Sequence, residues 1–322
     1  MSLKAPCFLG IDTSNYTTSF AVCDIDGNII ANIKELLPVK AGERGLRQSD
    51  AVFAHVKNLP QVMKRAGEVL GLYEIIAIGC SIKPRDAEDS YMPCFLCGKA
   101  VAESISAVCS APVYGFSHQS GHIMASLYSA KAEKLLSDDK FAAFHVSGGT
   151  TEILLVTPKV SGFSVELIGG TEDLNGGQAI DRIGVAMGLK FPCGREMESL
   201  ALESDSVFAK PKISVKGLSC NISGLENRAL QMYSETGDRG AVSAMTFDFI
   251  GRTLSKLTEN LTYLQGEIPV IYAGGVMSNS IIKNMLKGRK NTFFAEPAFS
   301  SDNAAGTALL CRRRYLSENE VR

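Results

Sequence analysis

The apolar positions fall into short runs broken by turn residues, and one order of runs occurs twice. Residues 6–12 are apolar and end in an acid, and Thr13-Ser14-Asn15 follows as a turn rich in hydroxyls. Residues 19–26 are apolar again, Asp26-Gly27-Asn28 is a hairpin signal, and residues 29–37 continue with mixed alternation. The chain therefore opens as a β-meander. Residues 48–70 carry Val52, Val56, Leu59, Val62, Met63 and Ala66 at helical spacing, and Pro60 is expected to bend or divide that helix. Residues 75–82 form a continuous apolar run of the kind covered on both faces. A helix over 92–109 and a short strand over 112–115 follow.

The order then restarts. Residues 141–147 read as a strand, Gly148-Gly149-Thr150-Thr151 as a turn, and 152–157 and 163–168 as further strands. Helical stretches are expected over 179–188, 197–202 and 241–264. A buried strand over 269–272 runs into Ala273-Gly274-Gly275-Val276, then a helix over 278–287 and a strand over 292–295. A last helix spans 302–316, with Ser300, Ser301 or Asp302 as its cap. This order predicts an α/β protein of two lobes, each a mixed β-sheet flanked by helices, with a cleft between them. The boundary is expected at 117/118, giving lobes of 1–117 and 118–322, the last helix packing back on the first lobe.

Composition narrows the chemistry little. Of 322 residues, 45% are hydrophobic and 21% charged, which is ordinary for a soluble globular protein. A formal net charge of −1 excludes a protein that binds nucleic acid by bulk charge, so any RNA contact rests on a local patch or on a partner protein. Nine cysteines, most in apolar runs, read as reduced buried thiols of a cytoplasmic protein. No run approaches the roughly 18 apolar residues of a membrane span, so no membrane partner is expected.

The histidines carry more. Two of only four, His118 and His122, stand four residues apart, so on a helix both imidazoles leave one face one turn apart. Ser301-Asp302-Asn303 is the best source of a third ligand, at a strand-to-helix junction of the kind that holds active-site residues in open α/β sheets. Two His and one Asp with open positions suit one divalent metal, Fe, Zn or Mn. Three turns, Thr13-Ser14, Ser147-Gly148-Gly149-Thr150 and Ala273-Gly274-Gly275, each follow an apolar strand and can cradle an anion with backbone N–H groups. Asp181 holds ribose hydroxyls or is an exposed helix acid paired with a nearby arginine. Asn279 contacts a base or ribose, or caps its helix. Cys94 and Cys97 form a lone CxxC without a second pair and read as core thiols.

These residues together resemble the TsaD family of tRNA threonylcarbamoyladenosine transferases, formerly glycoproteases, almost end to end. His118-Gln119-Ser120-Gly121-His122 is similar to the family's HxxGH, and His145-Val146-Ser147-Gly148-Gly149 to its VSGG loop. Asp181 through Phe191-Pro192-Cys193-Gly194 resembles its D…YPGG segment, and Ser223-Gly224-Leu225 its FSGLK element. Ala273 to Asn279 resembles AGGVxAN, and Ser301-Asp302-Asn303 resembles TDNxAM. The resemblance implies an actin/Hsp70-like ATPase fold. It implies a metal-dependent acyltransferase that moves a threonylcarbamoyl group from threonylcarbamoyl-AMP to N6 of adenosine 37 in tRNA, with a TsaB-like partner subunit. It implies His118, His122 and Asp302 as metal ligands. His145, Val146, Ser147, Gly148, Gly149, Asp181, Gly194 and Asn279 would hold ATP or the AMP ester.

The chain also departs from the family. The TSCDE after the first strand is here Thr13-Ser14-Asn15-Tyr16-Thr17, so Tyr16 and Thr17 replace an acid pair tied to catalysis. VSGGHT has become Ser147-Gly148-Gly149-Thr150-Thr151 with its own histidine lost. No residue is assigned as catalytic from sequence. The departures keep two further expectations open: a paralogue acting as a carbamoyl or acyl transferase or nucleotide hydrolase on a non-tRNA substrate, and a non-catalytic nucleotide-binding partner subunit.

Overall fold

The computed structural model describes residues 4–14, 16–38, 46–300 and 302–319; Asn15 of the first turn and the expected cap Ser301 lie outside the described residues. The chain divides into two compact units: residues 1–137, 158–165 and 298–322, and residues 138–157 and 166–297. The expected boundary at 117/118 is therefore corrected. Residues 118–137 stay with the first unit because the helix that begins at His118 packs on that unit's sheet and on the last helix.

In the first unit β1 (Ala5–Thr13), β2 (Thr17–Asp24) and β3 (Ile29–Leu36) form the antiparallel meander. Helix α1 (Gln48–Leu70) leads to β4 (Tyr73–Lys83), and α2 (Phe95–Cys109) to β5 (Val113–Ser117). Helix α3 (His118–Ser129) follows. The sheet order is β3-β2-β1-β4-β5, with β4 and β5 parallel to β1. Contrary to expectation, Pro60 does not divide α1, which runs unbroken for 23 residues. The carbonyl that Pro60 deprives of a helical donor is that of Val56, on the exposed face, where water can serve it.

Alternation in β1 sorts its two faces. Cys7, Leu9 and Ile11 join α1 and α2 in one apolar core. Phe8, Gly10 and Asp12 point the other way, where Phe8 meets Tyr315 edge-on and Gly10 lies against Ala304 and Ala308.

In the second unit β6 (Phe141–Val146), β7 (Thr151–Lys159) and β8 (Gly162–Thr171) precede α4 (Gly176–Ala186) and α5 (Gly194–Leu202). Short strands β9 (Ser214–Lys216) and β10 (Ser219–Asn221) come next, then α6 (Ser223–Thr236) and α7 (Arg239–Gln265). Strand β11 (Val270–Ala273), α8 (Ser280–Leu286) and β12 (Thr292–Phe294) complete it. The sheet order β12-β11-β6-β7-β8-β10-β9 contains the first sheet's plan, since β8-β7-β6-β11-β12 repeats β3-β2-β1-β4-β5. The repeated order of runs in the sequence is thus a repeat of strand topology. Its core gathers β6 and β7 with α4, α5 and α7 around Phe144, Ile183, Phe247 and Leu254.

A single turn, α9 (Pro297–Ser300), and α10 (Ala305–Asn319) return the chain to the first unit. Helix α10 starts three residues later than expected, and Asn303 Oδ1 accepts the Ala305 N–H at its start at 3.1 Å. No helix among the described residues is long and apolar enough to cross a membrane.

Candidate functional site

Strand β5 delivers the histidines. Ser117 caps α3, its Oγ accepting the Ser120 N–H at 3.0 Å. Helix α3 lies close on α10 because both are glycine where they cross: a Cβ at Gly306 would overlap the Gly121 carbonyl, and one at Gly121 would press on Thr307. That approach brings Asp302, just before α10, to the exposed faces of the two imidazoles.

The Nε2 atoms of His118 and His122 are 3.0 Å apart. Asp302 Oδ1 lies 3.3 Å from His122 Nε2 and 3.6 Å from His118 Nε2. At metal–ligand distances of about 2.1 Å, ligands of one ion stand about 3.0 Å apart at right angles and about 3.4 Å apart at the tetrahedral angle. Two of the triad's separations, 3.0 and 3.3 Å, fall in that range and the third, 3.6 Å, lies just beyond it; among the described residues this is the cluster of His, Cys and acids that could hold a metal.

Behind His118 stands a residue that the sequence did not assign. Asp12 Oδ1 accepts from His118 Nδ1 at 2.9 Å, and Asp12 Oδ2 accepts the Ser14 N–H at 3.2 Å. A carboxylate that accepts at Nδ1 leaves the Nε2 lone pair for a metal, the usual outer-shell arrangement of a ligating histidine. Asp12 is 1% exposed. Its burial favours the neutral acid, yet the charge and hydrogen bond of His118 hold its pKa below the ordinary value. Burial likewise opposes the His118 imidazolium, but Asp12 and Asp302 outweigh it and push the pKa up to about 10. Asp302, also against burial, is held well below the carboxylate range by His118 and His122.

The turn beside Asp12 is fastened by His55, which is fully buried. Its Nε2–H donates to the Ser14 carbonyl and its Nδ1 accepts from Thr18 Oγ1, each at 2.8 Å. Burial lowers its pKa, so it works as the neutral ring. Thr17 Oγ1 donates to Asp302 Oδ2 at 3.5 Å, in the place of an acid in the family motif. Ser14 Oγ is buried without a hydrogen-bond partner.

The other expected residues sit in the second unit. Between β6 and β7, Ser147 Oγ accepts the N–H groups of Gly149 and Thr150, each at 3.2 Å, and Gly148 and Gly149 have open space beside their α-carbons. Gly177, opening α4, donates to the Ser147 carbonyl at 3.1 Å. Gly274, at φ +96°, lies so close to Val146 that a Cβ would strike its carbonyl, and close to His145. His145, Val146, Ser147, Gly148 and Gly149 are thus assembled with the Gly274-Gly275 turn. Asp181 is half-buried, and Oδ1 accepts the Cys193 N–H at 2.8 Å, beside Gly194 at the start of α5. Of the two readings of Asp181, pairing with the adjacent arginine is not the one seen: Arg182 pairs with Glu226 at 3.1 Å. Burial raises the Asp181 pKa. Asn279 caps α8, its Oδ1 accepting the Ile282 N–H at 3.0 Å, while its Nδ2 is buried with no partner. Cys94 and Cys97 are buried core thiols, as expected, and burial pushes Cys94 up to about 12.

Two mixed sheets on one shared strand plan define the class: an α/β protein of the actin/Hsp70-like ATPase fold. Among solved structures it resembles full-length HypF in a phosphate- and nucleotide-bound form, at 13% identity and a TM-score of 0.60 over 98% of this chain and 47% of HypF. It also resembles a ROK family glucokinase from Streptomyces griseus, at 13% identity and a TM-score of 0.54 over 95% and 99% of the two chains. The family model "TsaD: tRNA N6-adenosine threonylcarbamoyltransferase" matches residues 28–309, and the chain belongs to that family. A tRNA N6-adenosine threonylcarbamoyltransferase of Neorickettsia sennetsu is 27% identical over 92% of this chain and 90% of its own length. A probable bifunctional tRNA threonylcarbamoyladenosine biosynthesis protein of Thermoplasma volcanium is 27% identical over 92% of this chain, which spans 54% of that protein.

Proposed function

We propose that the chain is a metal-dependent transferase that moves a threonylcarbamoyl group from threonylcarbamoyl-AMP to N6 of adenosine 37 in tRNA. The observation that carries the reading is the convergence of His118 Nε2, His122 Nε2 and Asp302 Oδ1 at ligand spacing, with Asp12 holding the His118 ring in the ligating tautomer. When bound, a divalent metal supplies Lewis acidity to the carbamoyl carbonyl. His118, His122 and Asp302 hold it, and His55 and Asp12 keep the β1–β2 turn in register beside it. The adenosine N6 forms the new bond to the carbamoyl carbon, the carbon–oxygen bond to AMP breaks, and the amine proton leaves with the phosphate or to water. In the second unit, the Gly148 N–H and the open backbone beside Gly148 and Gly149 suit phosphate oxygens. The unpartnered Asn279 Nδ2 and the half-buried Asp181 suit the nucleoside. Transfer to tRNA would draw on a TsaB-like partner and take place in the cytoplasm.

One observation favours a second reading. Thr17 occupies the place of a family acid beside Asp302, and Asp12 is committed to His118 and Ser14, so neither position offers an uncommitted carboxylate as general base. That suits a carbamoyl or acyl transfer to an acceptor more reactive than an exocyclic amine.

The test is reconstitution: the metal-loaded chain, threonylcarbamoyl-AMP, unmodified tRNA and TsaB-like partner proteins, with the modified nucleoside quantified. Formation of product that His122→Ala abolishes is expected. No product from the wild-type chain with any partner, while metal is bound, would overturn the tRNA reading in favour of the second.

A further inference from the structure

The Ser223-Gly224-Leu225 element takes no part in the metal triad or the glycine turns. It opens α6 and lines a groove of about 370 Å³ in the second unit. Facing it are Lys212 and Ser214, on the arm that carries β9, and Asn221 of β10. The sequence explains the sign of this groove: between Asp205 and Glu226 the chain carries three lysines and no acid. Along the arm the residues alternate. Ile213 and Val215 pack on the core of the second unit, while Lys212, Ser214 and Lys216 are exposed. Ser214 pairs with Asn221 and Lys216 with Ser219, so β10 adds polar side chains to the same outer face. On α6, Gly224 and Arg228 are one turn apart and both line the groove. Glu226 leaves the other side of that helix, where Arg182 pairs with it at 3.1 Å.

The two sides are tied down. Arg252 Nη2 donates to the Pro211 carbonyl at 2.9 Å and Asn260 Nδ2 to the Gly217 carbonyl at 2.7 Å, so α7 holds both ends of the arm. Asp173 accepts the N–H groups of Ile222 and Ser223, at 2.8 and 3.2 Å, which fixes the start of α6 and engages that carboxylate. Lys210 and Arg252 pair with Asp248, at 3.6 and 2.7 Å. Lys212, Lys216 and Arg228 have no ion-pair partner among the described residues. Lysines on an edge strand by themselves only guard against strand addition. Here a third cation, Arg228, comes from another element and faces the same groove. Lys212 and Lys216 stand up to about 13 Å apart along the arm, a spacing that reaches two charges of a chain and does not close on one small anion. Phe249, also in the lining, is 3% exposed, so it offers no ring for base stacking. We propose that this groove takes the phosphodiester backbone of the RNA acceptor, with Lys212, Lys216 and Arg228 as phosphate contacts that carry affinity and no sequence. In a chain of net charge −1 it is a local patch of the kind RNA contact requires. The inference rests on the tRNA reading of the proposed function and not on the metal centre.

The experiment is fluorescence anisotropy of labelled, unmodified tRNA with the full chain, across roughly 50–200 mM salt. Lys212→Gln and Arg228→Gln should each reduce the slope of log affinity against log salt by about 0.9, and weaken tRNA about four- to sixfold at roughly 0.15 M salt. The double variant should lose about 1.8 in slope. Lys212→Arg should keep both slope and affinity, because the contact needs charge alone. In the reconstituted reaction the Gln variants should raise the KM for tRNA by a similar factor. Wild-type slope and affinity in both Gln variants overturn the proposal. So does displacement of tRNA by inorganic phosphate at fixed ionic strength, which would mark a single-anion site. A wild-type chain with no salt-dependent tRNA binding, alone or with a TsaB-like partner, overturns it too. Modified nucleoside formed by a wild-type chain whose Gln variants bind tRNA unchanged overturns the groove and leaves the tRNA reading standing. Loss of slope in the variants, with no modified nucleoside from the wild type, overturns the tRNA modification reading and leaves the groove standing.

Discussion

The two units carry the same strand plan but prepare their turns in opposite ways. In the first, side chains do the holding: a carboxylate fixes an imidazole, and two imidazole Nε2 atoms and an oxygen of a second carboxylate converge on one spot. In the second, the turn after β6 is nearly all backbone, with glycines at 148 and 149 and their α-carbons open on one side. The metal triad is therefore prearranged by electrostatics and helix packing, so that little reorganisation is needed on binding. The glycine turns offer N–H dipoles and one orphan amide, Asn279 Nδ2, which a ligand has to complete. One plan thus supports a site for a compact cation and a site for an extended anion, depending on whether charge or bare backbone follows the first strand.

That contrast can be broken at its strongest point first. His122→Ala removes a ligand, and Co2+ or Zn2+ affinity should fall by more than the roughly 100-fold ceiling typical of outer-shell changes; competition against a chelator measures it. A smaller loss would mean that the triad is not the metal centre. Asp12→Asn should cost about 10- to 100-fold, the outer-shell range, with the fold retained. Its pH profile sharpens the point. With a pKa near 10, His118 is protonated in the metal-free site at neutral pH. Metal must displace that proton, so wild-type affinity should climb with pH toward about 10. In the metal-free chain the same raised pKa contributes stability that is complete below about 6.5 and lost as the pH rises through about 10. Asp12→Asn removes the main cause of the shift, so both profiles should level off at lower pH. Proton release on metal binding, read by calorimetry in buffers of different ionisation heat, checks the sign. The smallest effect belongs to the second unit. Asn279→Asp keeps the cap on α8 but loses the Nδ2 donor, so AMP or ATP affinity should fall by up to about tenfold with thermal stability unchanged. Unchanged nucleotide affinity would separate Asn279 from the ligand.

How far each region could be read from sequence follows the same division. His118 and His122 were legible because four residues is one helical turn, and Asp302 because an acid before the last helix was expected at a strand-to-helix junction, although the single turn α9 in fact stands between that strand and Asp302. Asp12 was not, since an acid ending an apolar strand has no local signature and its partner is 106 residues away. The glycine turns could be located but not their contacts, because the approach of Gly274 to Val146 is a property of two distant strands. The strands themselves were legible wherever apolar runs were long, but their order within each sheet was not. Helix α6 escaped because it buries only Leu225 and Ala229, too few positions to reveal a period. Pro60 misled because its cost depends on whether the lost carbonyl partner faces water, which only the fold decides.

The glycine crossing of α3 and α10 has a consequence for biogenesis. The two histidines are made roughly 180–190 residues before Asp302 and Gly306, the second unit being made in between. At synthesis rates of about 5–20 residues per second that is a delay of roughly ten to forty seconds. Until it ends, α10 cannot cover the β1–β4 face and Asp302 is missing from the triad. On the proposed function, loading of an ion therefore waits for α10, whose arrival also covers the first sheet.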